Sequence, residues 1–420
     1  MLNKFIALGL LLGLIVGLVA AASGNAVLLA IADGSAPFGK LFINAIRMIV
    51  IPLVVTIVFA SIARLGDIKT LGKIGGRTLG FYWLTLIPAI ALGMGVMALG
   101  LRFVPDMTMP AADAVTVPKL RGLTDFFIGL VPPNIFDAAA RGAILPLIVF
   151  TSLFAAAAGT LDKASRERMV QAADDISAAL MKLVWWILLF APIGVFGLIA
   201  PATAQLGWGV VQSLGVFILC VAIALILFVG LVYLPLLAII SKLNPATFVK
   251  GLSGAITMAF STTSTATAIP VTRDEITKNF SVSENLADLL VPLGASMYRP
   301  GSALFQGAAI VFLAHLYGVP LPIGAIGAVL FATFLVSLTV APVPSSGVIT
   351  MAPALETLGV PVAGLALLLG VDRIPDMMRS SVNVMGQAAT AVILDADRAE
   401  IAAKLEPSDL NQDSAQSISG

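Results

Sequence analysis

Long apolar segments separated by short polar or charged stretches run along most of the chain. A spanning helix needs about 20 apolar residues, and each of the first six segments is long enough. The first has the Lys4-then-apolar order of a secretory leader, but we expect a retained span because many further spans follow. The six segments predict helices near residues 4–31, 37–63, 77–104, 124–160, 176–203 and 207–240.

The last part of the chain shows a different pattern. Two apolar segments, 244–276 and 320–358, are interrupted by small and polar residues at 261–270 and 341–347. Lipid offers backbone groups no hydrogen-bond partner, so such interruptions are tolerated only where protein buries them or where they line a cavity. We therefore expect two re-entrant helical hairpins; ordinary loops between short helices are the alternative. The more continuous spans that follow the hairpins are expected at 284–317 and 360–394.

Composition excludes a water-soluble fold. Of the 420 residues, 59% are hydrophobic and 11% are charged, against roughly 25% charged in an ordinary soluble domain. Residues 183–240 and 300–355 contain no Asp, Glu, Lys or Arg, so each stretch must cross the membrane more than once. The net charge of +1 offers no basic surface for nucleic acid, and the single cysteine, Cys220, cannot form a disulfide framework or a metal cluster.

Charge in the connecting segments suggests an orientation. The loop at 64–77 is mostly basic, which by the positive-inside bias places it and the amino terminus in the cytoplasm. The loop at 162–182 has mixed charge, and counting spans puts it on the same side. The polar tail 407–420 has too little apolar surface to fold, so we expect it to be disordered and cytoplasmic.

Ionisable residues mark the last apolar span. At about 100° per residue, Asp376, Arg379, Asn383 and Gln387 all fall within about 60° of Asp372 and form one polar stripe. Such groups cost several kcal/mol at membrane depth unless they are paired or wetted, which makes them functional candidates. A guanidinium would bind a carboxylate in two-pronged geometry, and a free carboxylate beside it would take an ammonium group. An internal Asp376–Arg379 salt bridge that only fixes helix packing is the alternative.

These motifs resemble the dicarboxylate/amino acid:cation symporter family, which includes glutamate and aspartate transporters. The resemblance covers essentially the whole chain and rests on 261–270, on Val-Pro-Ser-Ser-Gly at 343–347 and on 372–383. It implies an all-α polytopic membrane protein with eight transmembrane helices plus two re-entrant helical hairpins, an elevator fold with inverted repeats. It also implies a homotrimer. Residues 1–240 would form mainly scaffold and trimerisation spans, with the third span contributing to the transport unit, and 241–400 the transport core.

The resemblance also implies a substrate site, carried over by motif position. Arg379 would hold the substrate side-chain carboxylate, Asp376 with Ser380 the ammonium group, and Asn383 with Thr265 the α-carboxylate. The retained acid at Asp376 favours an acidic amino acid over a C4-dicarboxylate. The remaining members are Ser302 and the Gly347 amide at the side-chain end, and the Thr263 and Val343 carbonyls that line the site.

The cation signature of the family is altered. Its Asn-Met-Asp-Gly-Thr motif reads Tyr298-Arg299-Pro300-Gly301-Ser302, and the aspartate that usually ends the stripe is Gln387. Hard cations are best held by several oxygens, including carboxylates, so the sodium sites built from these side chains should be absent or weakened. A further sodium site of the family is built mostly of main-chain carbonyls and cannot be judged from side chains. The sequence therefore does not decide whether a metal ion is bound. The cation-site or replacement positions are Asp372, Gln387, Tyr298, Arg299, Pro300, Tyr82, Thr85, Ser296, Ser337, Leu338 and Val340.

Arg299 suggests a replacement for a mobile cation. We hypothesise that its guanidinium lies near the vacated site and balances Asp372 or a substrate carboxylate. A snorkelling arginine, or one paired only for packing, is the alternative.

The sequence thus predicts a secondary active transporter of a small anionic solute, most simply aspartate or glutamate. We expect it in the cell inner (plasma) membrane, surrounded by lipid, with both termini cytoplasmic and no nucleic-acid partner. No cofactor is expected beyond a coupling sodium ion or proton, and sodium coupling should be weakened or replaced, so that transport is coupled to protons or is independent of cations. The alternatives are a C4-dicarboxylate symporter of the same family and a passive anion channel. An enzyme is not expected, because the one histidine, His315, has no acid near it in sequence.

Overall fold

The computed structural model describes residues 2–64, 72–105, 109, 128–140, 144–322, 326–338, 340 and 345–405. Nearly all of this part is helical, and it contains no β-strand. Val343 and the tail 407–420 lie outside the described residues, as do 65–71 of the basic loop.

The first two helices, α1 (Leu2–Ser23) and α2 (Ala26–Ala63), are separated by only two residues. The boundary predicted between 31 and 37 is therefore wrong. Gly24 has φ +61° and ends α1 in the left-handed region, which glycine enters without a Cβ clash. Asn25 then caps α2, its side-chain oxygen accepting from two backbone N–H groups at 2.9 and 3.3 Å. Cap chemistry, rather than a change in hydrophobicity, sets this boundary.

The span predicted at 124–160 is also divided. After α3 (Gly72–Gly100) and a short 3₁₀ turn, the described chain forms α4 (Ile135–Ala140) and α5 (Ile144–Gly159). Asn134 caps α4 by accepting from the Phe136 N–H at 2.8 Å. Two prolines stand immediately before this cap, and proline lacks the N–H that would continue a helix.

The segment 162–182, predicted to be a loop, is instead the amino-terminal part of the 44-residue helix α6 (Lys163–Leu206). Asp162 caps this helix by accepting from the Ser165 N–H at 3.0 Å. Hydrogen bonds from the Ser165 side chain and backbone hold the pKa of Asp162 below its ordinary value. Arg64 at the end of α2 forms an ion pair with Asp174 of α6, so the two charged segments lie at the same end of the molecule.

Close contact between α1 and α6 depends on glycines at every fourth position of α1. A Cβ on Gly9 would lie 2.2 Å from the Pro192 carbonyl oxygen, and one on Gly17 would lie 2.6 Å from the Thr203 Cβ. Gly13, between them, faces Ile199. Small residues at this spacing let two membrane helices approach closely, because association in lipid relies on packing rather than on the hydrophobic effect.

An apolar segment connects this part of the chain to the first hairpin. It consists of α7 (Gly209–Phe228), a π-helical turn (Val229–Tyr233) and α8 (Leu234–Ile240). The hairpin then contains α9 (Pro245–Gly251), α10 (Ser253–Thr262) and α11 (Thr265–Phe280).

The interruption predicted over 261–270 shrinks to Thr263 and Ser264, and Pro270 lies inside α11. Hydroxyl groups explain the short turn: the Thr262 and Thr267 hydroxyls share a hydrogen bond of 2.7 Å, and Ser264 caps α11.

The span predicted as continuous over 284–317 is broken into α12 (Glu284–Met297) and α13 (Pro300–Leu316). Between them, Tyr298 has an extended backbone, and Arg299, with φ −134° and ψ 69°, lies outside the helical region. Pro300 is the cause, because proline disfavours the helical conformation in the residue before it and is well suited to a first helical position. α13 packs along α3.

The second hairpin includes α14 (Ile326–Ser337), α15 (Ser346–Ile349) and α16 (Ala352–Thr357). Residues 341–344 of its predicted tip, and residue 339 before it, lie outside the described part. The last span comprises α17 (Gly364–Val371) and α18 (Arg373–Leu405), with only Asp372 between them.

Four described segments are long and apolar enough to cross a membrane, and several shorter apolar helices accompany them. Large apolar side chains such as Trp185 and Phe190 are 57% and 66% exposed, as expected for lipid-facing positions. The expected class, an α-helical membrane protein, is therefore supported, whereas the number of spans and hairpins stays a prediction. The four segments are Ala26–Ala45, Gly76–Phe103, Leu189–Leu206 and Gly209–Ile240.

We expect Gly9→Leu to destabilise the protein by about 1–3 kcal/mol or more, because the new side chain meets the Pro192 backbone. Gly34→Leu is the matched control, since an added Cβ there has no neighbour within 4 Å and the gain in helix propensity is similar. Thermal unfolding of the purified variants in detergent measures the difference. Equal unfolding temperatures would contradict the proposed packing of α1 on α6.

Candidate functional site

The two hairpin tips meet the charged start of α18. Thr263 (φ +54°) and Ser345 (φ +59°) both have left-handed backbones, which cost a non-glycine residue about 1–3 kcal/mol unless the surroundings hold them. Arg373 donates from Nη1 to the Thr263 hydroxyl at 3.1 Å. The Ser345 backbone N–H donates to Asp376 Oδ2 at 2.9 Å. Each tip is thus bonded to a charged residue of α18.

Arg379 is the centre of a buried charge cluster. It is 1% exposed, and its two terminal nitrogens donate to both carboxylate oxygens of Asp372 at 2.7 and 3.2 Å. Nη2 also lies 2.8 Å from Asp376 Oδ1. The guanidinium carbon is 4.3 Å from the ring centroid of Phe305, a cation–π distance. The Asp376–Arg379 ion pair, which the sequence offered as the alternative to a substrate site, is therefore present. Asp372 is a second acid bound to the same arginine.

Asn383 links α18 to the start of α13. Its Oδ1 accepts from the Gly301 and Ser302 backbone N–H groups at 2.8 and 3.3 Å, and its Nδ2 donates to the Ser302 hydroxyl at 3.1 Å. The first N–H groups of a helix have no partner within the helix, so Asn383 satisfies them as a cap residue would.

A small cavity of about 10 Å³ lies between the tips and α18, with room for roughly one water molecule. Most of the predicted substrate residues line it. The Thr265 hydroxyl has no hydrogen-bond partner among the described residues. Gly347 lies outside the lining but directly against the Arg379 guanidinium, with 3.4 Å between an ideal Cβ and Cζ. The lining residues are Thr263, Thr265, Arg299, Ser302, Val340, Ser346, Asp376, Arg379, Ser380 and Asn383.

Gln387 does not line this cavity, so the predicted stripe is divided. Its side chain lies against Gly294, beside three aromatic residues. We call these three residues, Tyr82, Tyr233 and Tyr298, the tyrosine cluster. The Tyr298 and Tyr82 rings stack at 4.2 Å. The Tyr298 hydroxyl shares hydrogen bonds with Thr85 at 2.5 Å and with Tyr233 at 3.2 Å. Within the described chain, the Gln387 amide and the Tyr82 hydroxyl have no partner.

The predicted cation positions do not fit a sodium site of the family's kind. An aromatic side chain stands at Tyr298, an amide at Gln387, and both carboxylate oxygens of Asp372 accept from Arg379. Among the described residues, no group of three or more His, Cys, Asp or Glu residues is placed to hold a metal ion. Hard cations favour oxygen-rich sites that include carboxylates, and the two carboxylates described in this region, Asp372 and Asp376, both have partners.

The positions predicted to bind a cation through main-chain carbonyls differ in their surroundings. The Ser337 hydroxyl donates to the Phe334 carbonyl within α14, Leu338 is partly buried against the core, and the Ser296 side chain lies outside the description. Val340 presents its carbonyl to a side chain, that of Arg299.

Arg299 is 2% exposed and donates from Nη1 to the Val340 carbonyl and from Nη2 to the Ala295 carbonyl. A direct pairing of Arg299 with Asp372 is not seen, because its terminal nitrogens donate to carbonyls and Arg379 binds both oxygens of that acid; that it balances a substrate carboxylate stays a prediction. Arg299 does, however, line the same cavity as Arg379.

Sequence reasoning missed several residues of the site. Gln306, fully buried, donates from Nε2 to the Gly347 carbonyl at 3.0 Å and to the Thr350 hydroxyl at 3.2 Å, holding the second hairpin to α13. A lone amide four residues after Ser302, on the same helical face, was the available signal. Phe305 and Tyr233 gave none, because aromatic residues are ordinary in apolar helices.

We expect Gln306→Leu to loosen the second hairpin, because the Gly347 carbonyl loses its partner at a cost of about 1–3 kcal/mol. Hydrogen exchange of the amides at 346–350 should become faster. Gln171→Leu, at an exposed position of α6, is the control. Unchanged exchange in the Gln306 variant would show that this amide does not hold the hairpin.

Comparison with known proteins places this arrangement in context. The chain is 30% identical over 398 residues, 92% of each chain, to the proton/sodium-glutamate symport protein of Geobacillus stearothermophilus. It is 31% identical over 371 residues, 85% of this chain and 84% of the relative, to the proton/glutamate-aspartate symporter of Escherichia coli (strain K12). It is also 29% identical over 400 residues, 91% and 90% of the two chains, to the C4-dicarboxylate transport protein of Bacillus subtilis (strain 168).

A family model described as the sodium:dicarboxylate symporter family matches residues 2–397, nearly the whole chain. The resemblance predicted from the hairpin and α18 motifs is confirmed, as is the prediction of a transport protein rather than an enzyme. Because both the full-length match and the relatives agree, the chain belongs to the sodium:dicarboxylate symporter family.

Proposed function

We propose that this protein is a secondary active transporter of an acidic amino acid, aspartate or glutamate. The observation that carries the proposal is the buried Arg379, flanked by Asp372 and Asp376, in a cavity between two hairpin tips. Arginine binds carboxylates in two-pronged geometry, and ionisable groups inside a membrane protein mark substrate pathways.

A substrate with carboxylate and ammonium groups could bind by replacing the contact between Arg379 and Asp376. Its carboxylate would take the Arg379 Nη2 donor that Asp376 now uses, and its ammonium group would take the released Asp376 Oδ1. Each buried charge would keep a partner throughout, which matters because an unpaired buried charge costs several kcal/mol. Ser380 and the Thr265 hydroxyl offer further polar contacts at the same cavity.

Asp376 also connects the substrate to the second hairpin. Its Oδ2 accepts from the Ser345 N–H at the hairpin tip, while its Oδ1 faces Arg379. A substrate that recruits Asp376 therefore acts on a residue that holds the tip closed. This contact supports the proposal that the second hairpin is the gate.

The proposed architecture is a homotrimer of subunits with eight transmembrane helices plus two re-entrant hairpins, arranged as inverted repeats. Residues 1–240 would form mainly the scaffold and 241–400 the core that moves by an elevator motion. The packing of α3 on α13 supports assigning the third span to the moving unit. We place the protein in the inner membrane with both termini cytoplasmic; the Arg64–Asp174 ion pair supports a common side for the two charged segments.

We propose that coupling is to protons or to no cation. The support is the misfit of Tyr298, Arg299 and Gln387 with a sodium site. Protons appear in the names of both relatives, the proton/glutamate-aspartate symporter of Escherichia coli and the proton/sodium-glutamate symport protein of Geobacillus stearothermophilus, the second of which also names sodium.

A C4-dicarboxylate is the second candidate substrate. Two arginines, Arg299 and Arg379, line the cavity, and two carboxylates would satisfy both. Asp376 separates the candidates, because its negative charge favours an ammonium group and opposes a second carboxylate.

We expect Asp376→Asn to lower aspartate uptake into liposomes by about 10- to 100-fold, because the charged hydrogen bond to the ammonium group is lost. Inhibition of the remaining uptake by succinate should not weaken. Asp288→Asn, at a surface acid, is the matched control. If the wild type prefers succinate and Asp376→Asn does not reduce aspartate uptake, the substrate is a C4-dicarboxylate rather than an acidic amino acid.

Counterflow separates a carrier from a passive anion channel. Liposomes loaded with unlabelled aspartate should accumulate labelled aspartate transiently through the wild type, because one site alternates between the two sides. Arg379→Met should abolish this exchange, whereas Arg273→Met, which loses a surface arginine, should retain it. Unsaturable flux without counterflow would indicate a channel.

A further inference from the structure

Arg299 lies where two helices end. Ala295 is within the last turn of α12, and Val340 is in the turn that follows α14, its N–H donating to the Ser337 carbonyl. The last carbonyls of a helix have no partner within it and carry partial negative charge. The guanidinium donates to one carbonyl at each of these two ends.

Broken helices in transporters commonly use their carboxyl-terminal ends and unwound carbonyls to bind a coupling cation. We propose that Arg299 is a tethered cation that replaces a bound sodium ion in joining the second hairpin to α12. The proposal rests on the transporter function proposed above. It makes Arg299 the residue that determines independence from sodium.

Charge in the cavity supports this role. Arg379 is matched by Asp372 and Asp376, which leaves one negative charge in excess. Arg373, which is partly buried, is a second cation nearby and donates to the Thr263 hydroxyl. Among the described residues no carboxylate forms an ion pair with the buried Arg299, so its positive charge is available to the cavity that it lines. An acidic substrate adds further negative charge, and in low dielectric the attraction of a fixed cation is strong.

A role for Arg299 in packing alone does not explain why, within the described chain, a charged side chain is buried without an acid or why its Nε–H is left free. Burial of an arginine without an acid costs several kcal/mol, which a packing residue such as Met would avoid. The Arg299 Nε–H has no partner among the described residues, and the side chain lines the substrate cavity. The guanidinium therefore keeps a donor for a substrate while its other nitrogens hold the two helix ends.

The first test measures ion binding without transport. Thermal unfolding of the purified wild type should be the same in sodium chloride and in choline chloride at equal ionic strength. Arg299→Met frees the two carbonyls, so sodium should raise its unfolding temperature by about 2 °C or more over choline. Arg299→Lys keeps a charge and should not respond to sodium. Arg273→Met, which loses an exposed arginine, is the control for charge alone.

The second test measures uptake of labelled aspartate in sodium-free and sodium-containing media. The wild type should carry aspartate without sodium, whereas Arg299→Met should lose at least about 10-fold in choline medium and recover with sodium. A tenfold change corresponds to about 1.4 kcal/mol, a modest demand on one bound ion.

Three results would overturn the proposal. The first is a wild type that sodium stabilises or whose uptake requires sodium. The second is an Arg299→Met variant that behaves like the wild type in both salts. The third is a variant equally less stable in both salts, which would show a packing role; Arg299→Gln takes its place if the Met variant does not fold. A wild type that carries no acidic substrate would refute the transporter proposal, and the unfolding comparison would still decide the role of Arg299.

Discussion

The buried ion cluster of Arg379, Asp372 and Asp376 is the interaction on which the rest of the site depends. Each of these groups would be too costly inside a membrane without a partner, and each has one: Arg379 binds Asp372 through two nitrogens and reaches Asp376 through one of them. Asp376 then holds the tip of the second hairpin through the Ser345 N–H. The ion pairs of α18 thus also position the residue that binds the tip of the second hairpin, next to the cavity.

Irregular backbone surrounds this cluster, and among the described residues several of its polar groups are satisfied by side chains. Asn383 caps the start of α13, Gln306 binds the second hairpin, and Arg373 binds the first. Water would serve these groups in a soluble protein, but lipid cannot. Arg299 belongs to the same pattern, since it satisfies carbonyls at two helix ends. The broken elements are therefore held by a network of buried polar side chains, and a rigid-body motion of the hairpins would have to exchange these bonds.

Boundary predictions failed where local chemistry outweighed hydrophobicity. The helix start at Asn25, the inclusion of 162–182 in α6 and the break before Pro300 follow from caps and from proline, which act on one or two residues. Hydropathy averages over a whole span and does not register them. The interruption at Thr263 and Ser264 and the charged residues of α18 were predictable because interruptions and charges stand out against a long apolar background.

By itself, the sequence determined that this is a helical membrane protein, to which family it belongs, and that Asp372, Asp376, Arg379 and Asn383 share one helical face. Period and composition are local properties, and they are readable without coordinates. Only the tertiary structure decided which partner each charge takes. Arg299 binds two carbonyls rather than Asp372, and Gln387 lies beside the tyrosine cluster rather than in the cavity. These pairings join residues distant in the chain, and no local pattern specifies which of several suitable partners lies within hydrogen-bond distance.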